Sequence, residues 1–158
     1  MKHCLCFVIA MLFFVGCKDK KTAESIKTEK ISFSKEGTLE IVRDTIVLAE
    51  LDVEFAKSDY EVQTGLMYRD TMEEKQGMFF IFDDVEIHSF YMKNTEIPLD
   101  IIYIDENLRI VSFQKNAKPF DETGLSSKVP IKYVLEINGG LADQWGLQIG
   151  DSVSYSKN

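Results

Sequence analysis

Apolar and polar positions alternate through much of residues 38–158. Ile131, Tyr133, Leu135 and Ile137 are spaced by Lys132, Val134, Glu136 and Asn138. That two-residue period marks a half-buried strand of an antiparallel sheet. Residues 78–82 (MFFIF) are apolar on both faces and 99–104 (LDIIYI) nearly so, which predicts central strands covered on both sides. Asp105-Glu106-Asn107 separates the latter from residues 108–113, predicting a hairpin. Further strands are predicted at 46–55, 85–92 and 152–155.

Helical signals are few. Ser58-Asp59-Tyr60-Glu61 fits a capping box with Ser58 as N-cap, and Gly65 supplies a stop. A second short helix is predicted from Leu141 to a stop at Gly146. The pattern predicts a mainly β fold: one compact β-sandwich or small barrel of about seven antiparallel strands with two short helices. Residues 116–130, with Pro119, Gly124 and Pro130, read as a long loop, and long loops in compact domains are often functional.

The first 37 residues follow another pattern. A basic start, Met1-Lys2-His3, precedes an apolar run over 5–15, then Gly16, Cys17 and Lys18-Asp19-Lys20-Lys21. Eleven helical residues span only about 16 Å, against roughly 30 Å of bilayer core. The run therefore reads as the core of a signal peptide over 1–16. Phe14-Val15-Gly16-Cys17 resembles a lipobox, with Phe14 where Leu is usual. Cys17 is thereby expected to carry lipid and to attach the protein to a membrane. Residues 17–37 are polar and read as a flexible tether, leaving 38–158 as a single domain. The expected location is the cell envelope, lipid-anchored, with the domain facing the periplasm or the exterior.

Charge and cysteine content narrow the chemistry. The net charge is −8, and removal of residues 1–16, which hold one lysine and no acid, brings it near −9. Such a chain repels phosphate backbones, so no nucleic-acid partner is expected. Cys4 and Cys6 fall in the signal peptide and Cys17 is committed to lipid, which leaves no cysteine nucleophile, disulfide or cysteine zinc site in the domain.

Five blocks together resemble the domain-of-unknown-function family numbered 192: GLMYR at 65–69, GMFFIF at 77–82, YMKNTEIPLDIIYID at 91–105, YVLEINGG at 133–140 and GLQIGDSV at 146–153. The resemblance covers about residues 53–153. It implies a compact β-sandwich-like domain, often exported, with no established activity. Tyr91 stands where the family commonly has tryptophan, Val62 where an arginine often precedes the Gly-Leu-Met block, and Phe120 where cysteine often follows proline. Roles of that arginine or cysteine cannot be carried over. Residues 139–153 also resemble a stretch of PDZ domains, but only five residues follow Val153, too few for the strand and helix that come next there.

Asp100 is the most unusual position, a carboxylate at the end of an otherwise apolar strand. A buried carboxylate must be paired, hydrogen-bonded or neutral. Asp100 is expected either to accept backbone N–H groups from the 93–96 turn, or to pair with Lys93, or to act as a functional acid. Lys93, Asn94 and Asp100 at one rim form a candidate ligand clamp. Glu136 lies opposite the apolar face of its strand, either solvated or lining a pocket. His88 is the domain's single histidine and reads as a surface residue. Met67, Met72, Met78 and Met92 read as core filler rather than copper ligands. No metal or cofactor is expected.

No catalytic signature is present. The favoured expectation is a binding module for a small molecule or envelope polymer at the Lys93–Asp100 rim and the 116–130 loop. The alternatives are a hydrolase or transferase using Asp100 and Glu136 as acid and base, or a structural accessory docking on another envelope protein.

Overall fold

The computed structural model describes residues 31–158. The expected signal peptide, Cys17 and most of the expected tether lie outside the described residues. Nine strands and two short helices follow in the order β1 (Gly37–Arg43), β2 (Ile46–Ala56), α1 (Asp59–Thr64), β3 (Gln76–Glu86), β4 (Ser89–Phe90), β5 (Leu99–Ile104), β6 (Ile110–Ala117), β7 (Leu125–Ser126), β8 (Ile131–Asn138), α2 (Leu141–Gln144) and β9 (Ser152–Lys157). Seven strands form one sheet in the order β6-β5-β8-β3-β2-β1-β9, and β4 pairs with β7 beside it. The fold is mainly β and β-sandwich-like.

One neighbouring pair, β2 with β3, is parallel. Two parallel neighbours need a crossover between them, and α1 with the segment after it supplies one. The sheet also coils until its edge strands meet at one corner. Arg109 bridges Ser152, and the Val153 N–H donates to the Leu108 carbonyl at 2.8 Å. This contact is confined to one end, so the sheet is not a closed barrel.

Alternation along the central strands feeds two cores. Phe79, Ile102, Ile104, Leu135 and Ile137 face one cluster together with Leu39, Ile41 and Leu51. Met78, Phe80, Leu99, Ile101, Tyr103 and Val134 face another, under α1 and the loops. Fully burying one such large apolar side chain contributes roughly 1.5–3 kcal/mol.

Besides the parallel β2–β3 pair, where the pattern predicts antiparallel strands, three features differ from expectation. β1 falls partly in the predicted tether, and Ser34 and Glu36 already bond to β2: the Ser34 N–H donates to Glu54 Oε1, and Glu36 Oε2 accepts the Phe55 N–H. The strand predicted at 85–92 is instead the end of β3, a break, and the two-residue β4. The long loop contains β7, whose two residues pair with β4. Such short pairings carry no periodic signal.

Candidate functional site

Strand alternation points Asp100 and Glu136 away from each other. Asp100 is in register with Ile137, and Glu136 with Ile101. Ile137 belongs to the first core and Ile101 to the second, so the two carboxyls lie on opposite faces of the sheet. They cannot serve one substrate as acid and base, which corrects the pairing weighed above.

Asp100 is fully buried and held by three backbone donors. Oδ1 accepts the Asn116 N–H at 2.8 Å, and Oδ2 accepts those of Gly140 (2.9 Å) and Ala142 (2.8 Å). The register of β5 on β6 slips between Leu99 and Ile101, leaving Asp100 opposite a bulge. Asn116 in that bulge has φ +53°, and Asp100 caps its freed N–H. These donors lie on β6 and around the start of α2, not in the 93–96 turn.

Lys93 is exposed. Asn94 takes a left-handed φ of +56°, which asparagine tolerates better than most residues. Its Nδ2 donates to the Tyr68 hydroxyl at 2.8 Å, and its carbonyl accepts the Tyr68 N–H at 2.8 Å. Asn94 therefore ties its turn to the segment after α1. At the rim expected from the sequence, the Asn94 amide and the Asp100 carboxylate are thus each committed to partners within the fold, and Lys93 stands exposed beside them.

Glu136 does open on one. Glu54 on β2, Met78 on β3, Glu136 on β8 and Ile101 on β5 form one cross-strand row. The Glu136 side chain is only 6% exposed and makes no hydrogen bond among the described residues. Burial without a compensating partner disfavours the charged form and pushes its carboxyl up to about 8. Above it lies a cavity of about 250 Å³, walled by residues 62–67 of α1 and its exit and by Phe80, Phe82 and Phe90.

The walls are built for close approach. Gly65 closes α1 at φ +45°. A methyl group there would stand 3.2 Å from the Phe80 ring and 3.8 Å from Glu136 Oε2. Phe80 meets Phe90 edge-on at 5.2 Å between centroids. His88 stacks on Phe82 at 3.8 Å and places Nε2 2.9 Å from Asp84 Oδ1. Thr64, Ser89 and the buried Thr95 add hydroxyl groups to the lining. Two positions where the chain departs from the resembled family, Val62 and Tyr91, also line this cavity.

Beside Glu136 on the same face, Tyr103 donates its hydroxyl to the Leu125 carbonyl at 2.6 Å. Burial, and secondarily the Glu136 charge, push this phenol up, so it stays neutral. At the other end of the row, Glu54 Oε2 lies 2.6 Å from Arg69 Nη2 in a largely buried ion pair. Arg69 Nε has no acceptor among the described residues. A second cavity of about 240 Å³ lies against Arg69, Tyr60 and Met78, across the Gly65–Met67 backbone from the first.

The sequence pattern leaves Glu136 either solvated or lining a pocket; in the structure it lies under this cavity, whose walls the pattern does not reveal. The alternation Met78-Phe80-Phe82 assigns three side chains to one face. What covers that face comes from α1 and β4, which flank β3 in the chain but fold back over it in a way that no local periodicity signals. No group of three metal-ligating side chains occurs among the described residues.

The profile of the DUF192 family, described as an uncharacterized ACR, matches residues 40–155. A protein of unknown function from Novosphingobium aromaticivorans DSM 12444 shares 36% identity, with a TM-score of 0.71 over 74% of this chain and 83% of its own. A protein from Sinorhizobium meliloti 1021, provisionally named a transcription regulator, shares 33% identity, with a TM-score of 0.73 over 80% of this chain and 97% of its own. No curated protein matches the chain.

Proposed function

The chain belongs to the uncharacterised DUF192 family, and on that footing we propose that it is an envelope lipoprotein whose domain binds a small molecule in the Glu136 cavity. The observation that carries this reading is an acid more than nine-tenths buried, without a hydrogen bond among the described residues, facing an aromatic-walled space. An unpaired buried polar group costs about 1–3 kcal/mol, more if charged. A fold built only for stability would place an apolar residue there. The cavity of about 250 Å³ lies just under the usual range of small-molecule sites, which favours a small molecule over a polymer.

The lipid anchor is supported by the lipobox-like FVGC and the polar stretch after it. The regulator name given to the S. meliloti protein is not extended to this chain, because a net charge of −8 opposes phosphate binding.

The test is a fragment screen by NMR on the ¹⁵N-labelled protein. Bound fragments are expected to shift the amides of residues 62–67, 80–82, 88–91 and 136 together. Fragments that bind only elsewhere, or no binding fragment at all, would overturn the reading.

A further inference from the structure

The Glu136 cavity holds one acid and, besides the His88 imidazole, no basic side chain. Its walls carry no lysine or arginine, and the cation nearest along the strand row, Arg69, is spent on Glu54 beyond Met78. Tyr103, next to Glu136 on β5, is a neutral phenol whose proton is committed to a carbonyl. His88, the remaining titratable wall residue besides Tyr91, has Asp84 as its partner. Residues 62–67 present no charge at all. Among the described residues, no lysine or arginine lines the cavity to let Glu136 ionise.

A neutral polar ligand would be served as well by Gln, Ser or Thr at this floor. What only an acid adds is a negative charge once a cation arrives. The surrounding rings suit such a guest, since aromatic walls attract cations that have left water. A metal ion is a poor fit, because no group of three metal-ligating side chains occurs among the described residues.

Resting on the reading of this cavity as a ligand site, we propose that its ligand is a small organic cation, an alkylammonium or protonated amine, held by the Glu136 carboxylate among the aromatic walls. The cavity of about 250 Å³ corresponds to about eight waters at roughly 30 Å³ each, room for a cation of choline size. Entry of the cation displaces the Glu136 proton to solvent, so binding and proton release are one event. With the carboxyl pushed up to about 8, about nine-tenths of a proton leaves per ligand at pH 7.

The experiment is calorimetry with choline, n-butylammonium, and choline's uncharged carbon isostere dimethylbutanol, in two buffers of different ionisation enthalpy. Choline is expected to bind more tightly than dimethylbutanol and to release protons. Its affinity should rise about tenfold per pH unit from pH 6 and level off above 8. Glu136→Gln should weaken choline by about tenfold or more and abolish the proton release. Dimethylbutanol should be little affected by that change.

Loss of the pH dependence in Glu136→Gln is what assigns it to this acid rather than to another wall residue. Phe90→Leu, which keeps the charge and thins the aromatic wall, should cost choline on the order of tenfold. The inference is overturned if dimethylbutanol binds as tightly as choline, if no cation binds, or if Glu136→Gln leaves choline unaffected. In those cases dimethylbutanol or fragment binding at the same amides keeps the cavity as a ligand site, and its absence removes that reading too.

Discussion

Glu136 keeps its proton because nothing near it replaces the water it lost on folding. Between its ordinary value of 4.5 and about 8, the unfolded chain ionises this acid while the folded one does not. The unfolded state then binds fewer protons, so the Glu136 contribution to stability falls as pH rises through that window and levels off above it. Glu136→Gln cannot ionise and escapes the loss. Urea denaturation should find the variant about as stable as wild type near pH 4.5. At pH 8 it should be more stable, on the order of 4 kcal/mol. A gap that does not change with pH would contradict the assignment. Asp100, by contrast, is held by three partners, all of them backbone N–H donors. Asp100→Asn turns an amide N–H₂ toward at least one of them and should cost about 2–4 kcal/mol, with no change in ligand response. Loss of binding in a folded Asp100→Asn protein would contradict this. Both acids stand out in the sequence as breaks in apolar strands, and the two-residue period shows which face each takes. The donors on Asp100 lie 16 to 42 residues away, beyond the reach of any local pattern.

At the scale of elements, legibility followed locality. The capping box of α1 is present as the sequence spacing predicts: the Ser58 side chain accepts the Glu61 N–H, and Glu61 Oε2 accepts the Ser58 N–H at 2.9 Å. The backbone N–H groups of Ser58 and then Lys57 hold the Glu61 carboxyl below its ordinary value, so this contribution is present above about 4.5 and fades as pH falls through the lowered value. Ser58→Ala should cost about 0.5–2 kcal/mol in urea denaturation. Because α1 walls the cavity, the same change should also weaken ligand binding. An unaltered midpoint would show that the cap does not matter. The parallel β2–β3 pair had a readable sign, a helix set between two strands, although the antiparallel hairpin signals around it dominated the pattern. β1, by contrast, was hidden at the end of a polar stretch, where Leu39 and Ile41 make only two apolar alternations.

For the whole molecule, the family was legible because five short blocks recur in order, and the profile match over residues 40–155 covers all of them. The cavity was not legible, since its walls come from α1, β3, β4 and β8 and only the fold brings these together. The proposed anchor sits at the other end of the chain. Cys17→Ala should abolish incorporation of labelled fatty acid and move the protein out of the membrane fraction. A wild type that takes up no lipid would contradict the lipoprotein reading. The net charge of −8 gives the surroundings a field that draws cations in, in keeping with an acid waiting at the cavity floor. The most direct test is a carboxyl ¹³C titration of Glu136 by NMR, with and without saturating choline. A midpoint near 8 in the free protein, falling by at least about one unit when choline is bound, is the predicted result. A midpoint near 4.5 that choline does not move would contradict the account.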